Sequence, residues 1–412
     1  MKSGALALFA TGFANGIPGF LARAAAQHQL VPLYGKKKTL VCIFQRGAMD
    51  GLMAVSPFQD SFFAAARPNL FMSPASNRGA QIELNDRFSL HRGLSSLYPY
   101  FQSNQLAIAH GVGSPNTTRS HFDAQDYMES GTPFSKSTET GWLNRAIGLL
   151  GHEGTPFRSV SLTAALPRSM YGPNGALAIS NLEDFAIQSR NRPQLNQQAS
   201  SSFESLYDQT AHQLLQKAGK ESFEAMQMLK PAQIRNYKPK EGVQYPNSPL
   251  GNALKQIAML IKLDVGLELA FAESGGWDTH INQGTVQGSF ARNLKDLGDS
   301  IAAFWQDMGG LESNVQVMTM TEFGRTVKQN GTGGTDHGRA SCMFMLGGAL
   351  KGGQVFERMG SLAPELLEDN RDVPVTTDFR EVFAAVAKGH LGIQESAKLF
   401  PGWDGKLLQG LY

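Results

Sequence analysis

The chain has 412 residues, 42% hydrophobic and 17% charged, with a formal net charge of +2. That length fits one large or two ordinary domains, and the composition excludes a disordered chain. The near-balanced charge, with no basic stripe interleaved with aromatics, excludes a nucleic-acid partner.

Residues 1–27 have the order of an export signal: Lys2, a short apolar run from Gly4 to Ala10, then the small residues Ala22, Ala24, Ala25 and Ala26. The apolar part is too short to span a bilayer, and no other stretch reaches the roughly 18 apolar residues of a membrane span. The segment also resembles the second half of a twin-arginine signal, whose Arg pair would lie just upstream of Met1 and is absent here. The expectation is an exported protein, periplasmic or in the cell envelope, with no transmembrane segment. Residues 36–412 form a single expected domain.

Thr39–Gln45 is an apolar strand entered from the basic turn Lys36-Lys37-Lys38, and it runs into a glycine-bearing loop with Arg46, Asp50 and Gly51. A short helix is expected at Gly93–Phe101 and a strand at Leu106–His110. A helix starts near Ser120, where Ser120-His121-Phe122-Asp123 has the form of a capping box. Ser159–Thr163 is a further strand. From about 168 to 247 the chain turns polar and rich in Gln, Asn and Ser; this reads as a helical or irregular insertion, with a helix over Ser202–Leu229.

Leu250, Leu254, Ile257 and Ile261 mark an amphipathic helix that feeds the strand Leu267–Ala272. Ser289–Met308 carries the strongest helical stripe, stopped by Gly309-Gly310. Two short apolar strands, Val315–Met320 and Ser341–Leu346, bracket a loop holding Glu322, Arg325, Asp336, His337 and Arg339. Thr377 is read as the cap of a last helix, with Asp378 a first-turn acid. Strands alternating with helices predict an α/β fold: a doubly wound, mostly parallel sheet with helices on both faces. Cys42 and Cys342 lie in strand patterns and read as small buried hydrophobes. Trp142 and Trp277 read as packing anchors.

Four loops that follow predicted strands carry acid or imidazole: Asp50; Ser120 and His121; Asp278 and His280; Glu322 with Asp336 and His337. In a parallel sheet such loops emerge on one edge, where ligands bind. Mixed carboxylate and imidazole donors suit Zn²⁺, Mn²⁺ or Fe²⁺, and two ions about 4 Å apart would clamp an in-line displacement. Each residue also has a plain structural reading. Asp50 before Gly51 suits a turn, Ser120 suits a helix cap, His121 suits an exposed first turn, and Asp-x-His is a common spacing. Arg46 is placed to neutralise Asp50.

Seven stretches, Leu40–Leu52, Arg119–Gly131, Gly141–Arg145, Gly276–His280, Thr319–Val327, Gly334–Arg339 and Pro374–Arg380, together resemble the DUF1501 family. These are exported bacterial proteins related to the alkaline phosphatase/sulfatase superfamily. The resemblance implies an alkaline-phosphatase-like sheet and a site for one or two divalent ions, Zn²⁺ first, with Mg²⁺, Mn²⁺ or Ca²⁺ as alternatives. It implies Asp50, Asp278, His280, Glu322 and His337 as metal ligands and Ser120 as nucleophile; in the mechanism that would follow, Arg119, with Arg325 as the alternative, holds the nonbridging ester oxygens and His121 is the general acid. Phe323 stands where superfamily members usually carry a histidine, and the Asp278-to-His280 spacing is shorter than theirs, which leaves a one-metal site as an alternative.

The implied activity is metal-dependent hydrolysis of a phosphate or sulfate ester, small or glycan-linked. The alternative is a catalytically degenerate member that binds or assembles in the envelope. No protein partner is legible.

Overall fold

The computed structural model describes residues 37–75, 80–187, 228 and 231–412. The signal-like segment 1–27 and nearly all of the helix expected at Ser202–Leu229 lie outside these residues. Among the described residues, no helix is long and apolar enough to cross a membrane.

Among the described residues there are twelve strands, in chain order β1 (Thr39–Gln45), β2 (Val55–Ser56), β3 (Gln81–Glu83), β4 (Ser89–His91), β5 (Leu106–Gly113), β6 (Ser159–Ser161), β7 (Leu177–Ala178), β8 (Leu269–Ser274), β9 (Val315–Met320), β10 (Ser341–Gly347), β11 (Gln354–Phe356) and β12 (Thr377–Asp378). The main sheet has the order β11-β5-β10-β9-β1-β8-β6-β7, with β12 also on β5, while β2, β4 and β3 form a small second sheet. β1 runs parallel to both β8 and β9. Within the described main sheet, β10 runs antiparallel to both its neighbours, β5 and β9. The mostly parallel α/β architecture expected from the alternation of strands and helices is therefore the fold. Leu177–Ala178, inside the polar stretch, joins the sheet edge on β6.

Period-two alternation divides the core. Val41 and Ile43 of β1 face one cluster with Leu254, Ile257, Phe290, Leu294 and Phe304, whereas Leu40, Cys42 and Phe44 face another with Trp142, Val382 and Phe383. Helices cover both faces because a parallel sheet buried on both sides must find apolar partners for each. The longer helices are α1 (His121–Ser130), α2 (Trp142–Leu149), α3 (Pro249–Lys262), α4 (Ser289–Met308) and α5 (Phe379–Gly389). In α4 the whole predicted stripe, Phe290, Leu294, Leu297, Ile301, Phe304, Trp305 and Met308, is buried. Gly309, at φ 46°, ends that helix in the left-handed conformation a side chain resists. Trp142 stacks on Phe383 at 4.6 Å and Trp277 packs edge-on against Phe290; both are core anchors.

Two local expectations fail. Ser120 is the N-cap of α1, but its side chain makes no capping hydrogen bond, and Asp123 pairs with Lys136 instead. At α5 the cap is Asp378 rather than Thr377, in a true capping box with Glu381. The two cysteines are buried and unbonded to each other, since β9 separates β1 from β10.

Candidate metal centre

The parallel strands β1, β5, β8 and β9 all end on one edge, and their following segments carry the ionisable residues. The β8 segment places Asp278 and His280, the β9–β10 connection places Glu322, Asp336 and His337, and α1 after β5 places His121. Gly47, after β1, lets the backbones meet: at φ +114° an added Cβ would stand 2.6 Å from the Asp278 amide nitrogen.

Four side chains converge. Donor atoms of His121, Asp278 and His337 lie within 4.8 Å of one another. His280 Nε2 joins them, 3.0 Å from Asp278 Oδ1 and 2.9 Å from His337 Nε2. His121 Nε2 is 3.4 Å from Asp278 Oδ2 and has no hydrogen-bond partner although the atom is buried.

The other nitrogen of each ring fixes its tautomer. His121 Nδ1 is 2.8 Å from Glu322 Oε1, His280 Nδ1 is 2.9 Å from Asp336 Oδ1, and His337 Nδ1 is 2.9 Å from the Arg119 carbonyl. Carboxylate and carbonyl oxygens only accept, so each Nδ1 donates, and in the neutral ring each Nε2 presents a lone pair to the centre. Two such lone pairs at 2.9 Å repel unless a proton or a metal ion lies between them. An imidazole held through Nδ1 by an acceptor, with Nε2 free, is the usual state of a metal-bound histidine. Three imidazoles and one carboxylate suit zinc or another borderline first-row ion, and without thiolates the set does not favour a soft ion.

The same contacts shift the pKa values of the cluster. The hydrogen bond to Glu322, helped by the nearby Glu322 and Asp278 charges, raises the His121 pKa. Burial alone would push the Glu322 carboxyl up, but His121, Gln125 and the Gly47 amide outweigh it and hold Glu322 ionised. Burial lowers the His337 pKa and keeps that ring neutral. Desolvation of Asp278 is overcome by Arg325, which lowers its pKa.

Of the residues expected at the site, His121, Asp278, His280 and His337 meet directly, and Glu322 stands one hydrogen bond behind. Asp50 is elsewhere engaged. Fully buried, it accepts from Arg67 Nη1 at 2.7 Å, Arg67 Nη2 at 3.2 Å and Gln283 Nε2 at 2.7 Å. Its partner is Arg67 and not Arg46, which pairs with Glu129 and Glu273. Arg119 binds Asp369 and Asp372 with its guanidinium and reaches the cluster through its carbonyl. Ser120 is exposed at the start of α1, next to His121.

Phe323 lies under the His121 and His337 rings, 5.0 Å from each. The imidazole that reaches Glu322 comes from α1, as His121. Sequence spacing gave no sign of Arg67 or Gln283. Nor did it show that Arg325 would be buried, with donors on Asp278 and on the Gly47, Ala48, Trp277 and Thr335 carbonyls. Asp336, by contrast, was visible beside His337.

The fold and cluster define an α/β protein with an imidazole–carboxylate centre at the carboxyl edge of its sheet. The chain belongs to the family described as "Protein of unknown function (DUF1501)", whose model matches residues 37–400. No curated protein matches it in sequence.

Among solved structures it is similar to the C-terminal periplasmic domain of EcEptC from Escherichia coli, in complex with Zn, at 9% identity and TM-score 0.38, covering 76% of this chain and 72% of that one. It is also similar to Ps i-CgsB in complex with k-i-k-neocarrahexaose, at 9% identity and TM-score 0.41, covering 90% and 75%. A third is the PsFucS1 sulfatase from Pseudoalteromonas sp., at 11% identity and TM-score 0.42, covering 96% and 78%.

Proposed function

We propose that this is an exported metal-dependent hydrolase of phosphate or sulfate esters, with His121, Asp278, His280 and His337 holding one divalent ion and Ser120 as nucleophile. The observation that carries the reading is the convergence of three Nδ1-anchored imidazoles on one carboxylate. A bound ion would supply Lewis-acid polarisation of an ester oxygen and lower the pKa of a nearby hydroxyl.

The chain's own residues account for the rest. Ser120 offers a hydroxyl not consumed in capping, and the first-turn N–H groups of α1 favour negative charge developing beside it. Glu322 holds His121 in the tautomer that aims Nε2 inward, while Asp336 and the Arg119 carbonyl do the same for His280 and His337. Arg325 fixes Asp278 and supplies a permanent positive charge beside it.

The engagement of Asp50 and Arg119 in ion pairs favours a second reading, a degenerate envelope protein that keeps one structural ion. Metal analysis of purified protein, with turnover of aryl phosphates and aryl sulfates, separates the two. Under the first reading, Ser120→Ala abolishes turnover and leaves metal content intact. Metal-loaded wild type that turns over neither ester class leaves only the second.

A further inference from the structure

Behind the candidate ligands lies a buried polar chain that reaches both site-bearing loops. Gln283 is fully buried. Its Nε2 donates to Asp50 Oδ2 at 2.7 Å, which fixes the orientation of the amide. Its Oε1 therefore faces two hydroxyls, Thr279 Oγ1 at 2.9 Å and Thr335 Oγ1 at 2.8 Å. Thr279 sits between Asp278 and His280, and Thr335 directly precedes Asp336 and His337. One amide oxygen thus ties together the two loops that supply three of the four converging side chains. The backbones are paired at the same place, Thr335 N to Thr279 O at 3.2 Å and Gln283 N to Gly333 O at 2.9 Å.

Asp50 cannot turn away from this task. Arg67 grips both its oxygens, the Met53 amide adds a contact at 3.3 Å, and Arg67 itself is held by the Thr326 and Val327 carbonyls. All acceptor directions of the carboxylate are used within the protein, and none is left for an ion.

The geometry points to Gln283, backed by the Arg67–Asp50 ion pair, as the positioning residue that sets the spacing of Asp278, His280 and His337. Asp50 then acts on the centre through Gln283 and not as a ligand. This rests on the metal-site reading above. Its logic is that of any supporting group in a metal site: removing it leaves the ligands present but misaligned, at a cost of about tenfold or more in affinity.

The test is Zn²⁺ affinity by competition with a chromophoric chelator, and the visible spectrum of the Co²⁺-loaded protein, for wild type, Gln283→Ala and His337→Ala. The expected result is one ion in wild type, about tenfold weaker Zn²⁺ binding in Gln283→Ala, and a Co²⁺ spectrum changed in band position or intensity. A stability loss alone would not move that spectrum.

Gln283→Ala leaves Asp50 in place, so wild-type affinity together with an unchanged spectrum overturns the positioning role while the metal reading stands. Wild type and His337→Ala binding Zn²⁺ equally would sink the metal reading itself, and this inference with it. Should Gln283→Ala not fold, Thr279→Val and Thr335→Val remove the two hydroxyls at matched size and are judged by the same two measurements.

Discussion

Replacing Glu322 with glutamine tests the centre at its most buried support. The Glu322 side chain is fully buried. Its Oε1 receives three donors: His121 Nδ1 at 2.8 Å, Gln125 Nε2 at 3.0 Å and the Gly47 amide at 2.9 Å. A carboxylate oxygen with full negative charge accommodates that crowding; a neutral amide oxygen serves two donors well and leaves one short. The loss of a charge-assisted hydrogen bond is worth about 1.5–3 kcal/mol. Expressed through His121, it should weaken Zn²⁺ binding by roughly 10- to 100-fold.

His121 supplies a second, independent signal. Its pKa is raised first by the Glu322 hydrogen bond, so in Glu322→Gln it should fall back toward the ordinary histidine value. A raised pKa opposes metal binding, since the ring must lose its proton first. Wild-type affinity should therefore climb with pH through the His121 titration, and the variant should show that rise at lower pH. Chelator competition across pH, with imidazole nitrogen shifts from NMR on the apo protein, measures both. Zn²⁺ affinity within a factor of two of wild type, with an unmoved His121 titration, would refute the claim that Glu322 sets the donor state of that ring.

Three further outcomes follow from the buried groups. Asp50→Asn leaves the Arg67 charge without its counter-ion in a fully buried site, and should cost about 3–5 kcal/mol of unfolding free energy in urea titration. Burial depresses His110 and His390 to about 4 each, so the unfolded chain takes up these protons first. Stability is then complete above about pH 6.5 and falls as pH drops, by about 3 kcal/mol for each histidine near pH 4. Denaturation at several pH values, with His110→Gln and His390→Gln as controls, reads that slope. Gly47→Ala puts a Cβ against the Asp278 amide, and should lower metal content in a folded protein, measured by elemental analysis beside circular dichroism.

Short-range physics made much of this protein legible in its residues. The helix Ser289–Met308 was readable to its ends because a 3.6-residue apolar stripe and a glycine stop are local signals. β1 was readable because a strand buried on both faces must be continuously apolar. The carboxyl-edge address of Asp278, His280 and His337 followed from alternating strands and helices, which leave successive loops on one side.

Partner choice was beyond reach. Asp50 and Arg67 are 17 residues apart, while Asp50 and Gln283 are 233 apart, and nothing in the spacing of either pair announces a contact. The same aspartate that reads as a ligand by position becomes an internal counter-ion once a guanidinium folds onto it. His121 goes the other way, from a first-turn residue to the centre of the cluster, because packing turns its ring onto Phe323 and Glu322. Which groups stand ready for chemistry is settled by who neutralises whom. That depends on distances of 3 Å between residues hundreds of positions apart, which only the folded chain decides.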